Sequence, residues 1–127
     1  MYAWERFRSM VLATAWDDIE FARPRVGPEH VEALVGFYWT LEEWPQRIAL
    51  VQLVQDRKEP ALKPVMLDVL RAPLTSDREN VELTMAAALR IIDDRYDTFM
   101  RFYEDREALH AAVREAREAH GSPAEER

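Results

Sequence analysis

Three histidines, His30, His110 and His120, are the only imidazoles in the chain. Glu107 and His110 form a Glu-x-x-His step, which brings both side chains to one face of a helix. Carboxylate-bridged di-iron bundles use that step twice and add two further glutamates from other helices. It occurs once here, so Glu107 and His110 are at most weak metal anchors, and no cofactor is expected. Glu118 and His120 stand two apart and point to nearly opposite sides of a helix. Asp17, Asp18 and Glu20 form one acidic cluster, and Asp93, Asp94 and Asp97 another. Either group would take a hard cation if it converged, but charged helix ends explain both more simply. There is no nucleophile elbow, no phosphate-cradling glycine loop and no credible Ser–His–Asp set. With no cysteine, thiolate chemistry and disulfides are out of reach. This inventory predicts a noncatalytic protein.

The 127 residues carry 17 lysines and arginines against 24 aspartates and glutamates, a net charge of -7. That balance disfavours nucleic acid and anionic lipid as partners. Apolar residues make up 48%, enough to build a core, and three glycines are too few for the turns of an all-β fold. The longest apolar runs, Ile48 to Val51 and Met85 to Leu89, fall far short of a membrane span. No signal-peptide pattern opens the chain, and the lack of cysteine fits a reducing compartment, so a cytoplasmic location is expected.

Apolar residues recur every three or four positions, the period of a helix face, so the expected fold is all-α with about seven antiparallel helices. Tyr2 to Phe21 predicts one uninterrupted helix, with Trp4, Phe7, Val11, Ala15 and Ile19 inward. Pro24, Gly27 and Pro28 break it, and Pro28 suits the first turn of the next, whose stripe is Val31, Leu34, Val35, Tyr38 and Leu41. Pro45 opens a third helix behind the acidic pair Glu42 and Glu43, which complement its dipole. Ile48 to Val54 is apolar all round except at Gln52, which predicts a helix enclosed by neighbours. Pro60 opens a fourth, kinked at Pro64 and buried through Leu62, Val65, Met66, Val69 and Leu70. Ser76 and Glu79 form a capping box for a fifth helix, with Val81, Met85, Ala88, Leu89 and Ile92 inward. Phe99, Phe102 and Tyr103 predict a short sixth helix, and Asp105 caps a seventh built on Leu109, Ala112, Val113 and Ala116. One domain is expected over residues 1–120. Residues 1–22 would cap helix pairs at 28–56, 60–93 and 97–120, and Gly121 would stop the last helix before a flexible tail at 121–127.

Two of these pairs match each other. A shift of 37 residues lays Trp44, Ile48, Ala49, Val51, Val54 and Asp56 on Val81, Met85, Ala86, Ala88, Ile91 and Asp93. A shift of 31 lays Val31, Leu34, Val35 and Tyr38 on Leu62, Val65, Met66 and Val69. The stretch LKPVMLDVLRAP followed by DRENVELTMAAALRIIDD resembles a HEAT or armadillo-like repeat. It has a proline-kinked first helix, a short turn and an alanine-rich second helix ending in aspartate. The preceding unit, VEALVGFYWTLEEWPQRIALVQLVQD, resembles it less, and the segment from Thr98 to Ala119 less again. The resemblance spans residues 28–119 and implies an α-solenoid; a nonrepetitive helical bundle is the alternative.

In such a solenoid the second helix of each pair would line a concave face. That face would carry Gln52 and Asp56 in one unit, and Glu79, Glu82, Arg90 and Asp93 in the next. It is mainly acidic and would suit a basic surface on a partner protein. Phe37, Tyr38 and Trp39 cannot all face one core, which makes Trp39 a further contact candidate. The function implied is a protein-interaction module, an adaptor or regulator. A toxin-neutralising immunity-type protein and a bundle holding a metal or small ligand are the alternatives, and the aromatic excess leaves a homo-oligomer open.

Overall fold

The computed structural model describes residues 4–73, 78–93 and 106–120, the side chains at 78, 79 and 120 excepted. The described residues form seven α-helices and two 3-10 turns, with no strand among them. No helix among them is long and apolar enough to cross a membrane. The chain divides into two compact units, residues 1–62 and 63–127.

The first unit holds α1 (Trp4–Ala13), α2 (Trp16–Ala22), a 3-10 turn (Arg23–Arg25), α3 (Pro28–Tyr38), α4 (Trp44–Val54) and a second 3-10 turn (Pro60–Leu62). Prolines sit where their missing N–H is harmless, in the first turns of α3 and α4. At the start of α3 the Gly27 N–H donates to His30 Nδ1 at 3.0 Å, and the His30 ring stacks edge-on against buried Phe7, centroids 4.9 Å apart. Every residue from Ile48 to Val54 is buried. Enclosure follows from the packing, because α1, α2, α3 and the Arg23–Arg25 turn all contact α4. Gln52 is buried too, and its carbonyl accepts from Arg23 Nε at 2.8 Å. Past α4, Arg57 is hydrogen-bonded to Glu59 and also reaches the Val26 carbonyl at 3.5 Å. That hydrogen bond holds the Glu59 carboxyl below the ordinary carboxylate range.

The predicted helix over Tyr2 to Phe21 is in fact two. α1 ends at Ala13, and Thr14 takes the left-handed conformation, φ 46°. The Ala15 N–H donates to Met10 O at 3.0 Å and the Thr14 N–H to Val11 O at 3.1 Å. That pair of bonds is a Schellman motif, with threonine where glycine is usual. The acidic run Asp17 and Asp18 therefore begins a helix, at its positive end, rather than ending one.

The second unit holds α5 (Lys63–Val69), α6 (Arg78–Ile92) and α7 (Arg106–His120). The three pack on one another. Val65, Met66, Val69 and Leu70 are buried from the α5 side, Val81, Met85, Ala88, Leu89 and Ile92 from α6, and Leu109, Ala112, Val113 and Ala116 from α7. Pro64 lies in the first turn of α5, and the chain from Pro60 is a 3-10 turn followed by a short helix instead of one kinked helix. Asp68 is buried on α5 and ion-paired with Arg71. The proposed Ser76–Glu79 cap, Asp94, Asp97, the aromatic segment at Phe99, Phe102 and Tyr103, the Asp105 cap, and the stretch from Gly121 onward lie outside the described residues.

Candidate functional site

Two residues of the acidic stripe that helical spacing places on α4 and α6 are withdrawn from the surface. Gln52 and Glu82 are buried and belong to the interior. Asp56 is exposed, Arg90 and Asp93 are half-buried, and the Glu79 side chain lies outside the described residues. The burial of Gln52 and Glu82 has a simple cause. Polar residues opposite an apolar stripe face water only when one side of the helix is covered, and α4 is covered on all sides while α6 is flanked by α5 and α7.

Glu82 instead anchors the only charged group fully enclosed among the described residues. His110 Nε2 stands 2.8 Å from its Oε2, and Arg106 Nε 3.2 Å from its Oε1. Both partners project from α7 toward α6, one turn apart, so the cluster ties these helices together. The two weak metal candidates of the sequence part ways accordingly: Glu107 is exposed while His110 turns to Glu82. Among the described residues no group of three His, Cys, Asp or Glu is placed to hold a metal ion.

Leu12, Phe21 and Trp39 are the large apolar side chains left exposed among the described residues, and the last two mark candidate surfaces. The first is the loop between α3 and α4. Its underside is fixed by buried Tyr38 and Leu41. The Thr40 N–H donates to Phe37 O at 3.0 Å and the Leu41 N–H to Tyr38 O at 3.1 Å. Arg47 Nε donates to Leu41 O at 2.9 Å, and its guanidinium lies over the rings of Tyr38 and Trp44. On the outer side of this pinned loop Trp39 is 46% exposed, and Glu42 and Glu43 are exposed. Glu43 stands at the N-cap of α4 but makes no side-chain cap bond there. The Trp39 ring meets Tyr38 edge-on at 5.1 Å. An exposed indole followed within four residues by two exposed carboxylates offers a guanidinium or ammonium cation–π contact and opposite charge on one loop.

The second is a cleft of about 540 Å³ along α1 and α2, lined among others by Glu5, Arg6, Met10, Ala13, Asp18 and Phe21. The Phe21 ring is 60% exposed, the most exposed large apolar side chain described. Trp39 was legible in sequence through the run Phe37-Tyr38-Trp39. Phe21 was not, because its neighbours Ile19 and Ala22 carry the buried side of α2.

Compared with protein-family models, curated proteins and solved structures, the chain finds no significant match.

Proposed function

We propose that this chain is a noncatalytic protein-binding module that engages a basic segment of a partner protein through the α3–α4 loop. Trp39 serves as the anchor, and Glu42 and Glu43 receive the partner's lysine or arginine side chains. The observation that carries this reading is an indole nearly half exposed on a loop whose base is pinned by Tyr38, Leu41 and Arg47. A pre-ordered aromatic loses little freedom on binding, so more of its contact energy appears as affinity. The packing of α3 on α4, and of α5 on α6, supports reading each as one helix-pair repeat of a HEAT-like kind. The burial of Gln52 and Glu82 moves the proposed contact from the face of the second helices to the α3–α4 loop. A cysteine-free chain suits a reducing compartment such as the cytoplasm.

Fluorescence anisotropy with a labelled arginine- and lysine-rich amphipathic peptide, and with its aspartate- and glutamate-rich twin, tests the reading. The basic peptide should bind and the acidic one should not. Trp39→Ala should weaken binding about tenfold, equivalent to about 1.4 kcal/mol, and Glu42→Lys with Glu43→Lys at least as much. Equal binding of both peptides, or variants indistinguishable from wild type, rejects it.

A further inference from the structure

We infer that the partner segment is a basic amphipathic helix laid along the outer face of α3 and crossing it at Gly36, an extension that rests on the Trp39 loop contact proposed above. α3 buries Val31, Leu34 and Tyr38 and leaves its opposite side to solvent. There Glu29, then Glu32 and Ala33, then Gly36, then Trp39 and Thr40 follow at steps of three or four, and all six are exposed.

Gly36 stands at the centre of that face, inside an 11-residue helix. Glycine is among the poorest residues for a helix interior, and this fold does not require one there. A Cβ at position 36 would meet nothing within 4 Å. What a bare Cα offers on an exposed helix face is close approach of another backbone. Ala33 and Thr40 flank it with small side chains, about one turn before and one after. Packed helices lie about 8–10 Å apart, and the side chains at the crossing set that distance. An extended strand would gain nothing from this face, because the N–H and carbonyl groups of a helix interior are already paired with one another. The face runs about 15 Å from Glu29 to Trp39, so about three turns of a partner helix cover it.

Charge selects a basic helix. Residues 28–43 hold four glutamates and no lysine or arginine. Glu32, Glu42 and Glu43 form no ion pair among the described residues. Glu29 has only the His30 ring beside it, Oε1 to Nδ1 at 3.7 Å, and the more distant charge of Arg57. The guanidiniums bordering α3 and its loops are held by other groups: Arg8 lies over the Phe37 ring, Arg47 over Tyr38 and Trp44, and Arg57 is bonded to Glu59. A helix with lysines or arginines toward both ends would meet Glu29 and Glu32 at one end and Glu42 and Glu43 at the other. Its apolar residues would then lie over Gly36 and against Trp39.

Fluorescence anisotropy with a labelled arginine- and lysine-rich amphipathic helical peptide, and with a twin carrying proline at its centre, is the test. The helical peptide should bind about tenfold more tightly than the proline twin. Gly36→Gln should weaken its binding about tenfold, and Ala33→Gln several-fold. Gly36→Gln should at the same time raise the thermal midpoint of the free chain, since glutamine is a good helix former and finds open space there. Lost affinity beside a raised midpoint is an effect on the contact and not on the fold. Should the midpoint fall instead, Ala33→Gln on the same exposed face decides. Equal binding of the two peptides, or affinity unchanged by both substitutions, overturns the helical crossing while the loop contact stands, because that contact needs only a basic segment, Trp39, Glu42 and Glu43. Binding by neither peptide removes both.

Discussion

Glu82 shows how one side chain can be misassigned by its type and then understood by its neighbours. A carboxylate taken wholly out of water is costly unless hydrogen bonds and opposite charge replace the lost solvent. His110 and Arg106 supply these unequally. His110 makes the hydrogen-bond contact, at 2.8 Å, from a side chain only 25% exposed, whereas Arg106 stands 3.2 Å away and is 47% exposed. The guanidinium can exchange its contact for water; the enclosed carboxylate cannot. His110→Ala should therefore destabilise by about 2 kcal/mol, the cost of leaving a buried acceptor short of a donor. Arg106→Ala should cost less than half of that. Urea midpoints of the two variants check the order; an equal pair would show that both partners hold Glu82 alike, and a reversed pair that Arg106 is its principal partner. Glu82 is also a poor position for probing an interface, since a lysine placed there would be buried beside two basic side chains.

At the scale of elements, the ending of α1 invites a test. A threonine held at φ 46° is strained by about 1–2 kcal/mol, because its Cβ crowds the neighbouring carbonyl oxygen. Glycine takes that conformation without the clash, at some entropic cost in the unfolded chain. Thr14→Gly also gives up the hydroxyl bond to Ala13 O, which is exposed and contributes little. The net expectation is a gain of up to ~1 kcal/mol, read as a raised thermal midpoint; a lowered midpoint would mean that the hydroxyl stabilises the elbow more than the strain costs. The same threonine explains why the break was illegible. Helix ends are announced by glycine or proline, and Tyr2 to Phe21 contains neither. Where such signals exist, the sequence was readable: Pro28 and Pro45 open α3 and α4. The enclosure of α4 was readable as well, because seven consecutive residues with one polar member leave no side for water. The site was less so. Trp39 announced itself by crowding in a run of three aromatics. The pairing of Glu82 with His110 joins positions 28 apart, and no local pattern encodes a contact of that separation.

At the scale of the whole molecule, the charge of -7 bears on how the proposed peptide contact responds to salt. Salt shortens the reach of charge from about 8 Å at 0.15 M to about 3 Å at 1 M. A basic peptide at Trp39, Glu42 and Glu43 is drawn in by the charge that salt screens, and its affinity should fall several-fold between about 0.05 M and about 0.5 M sodium chloride. Anisotropy across that salt range gives the trend. Peptide binding that ignores salt would leave Trp39 acting through apolar contact alone, with Glu42 and Glu43 as bystanders.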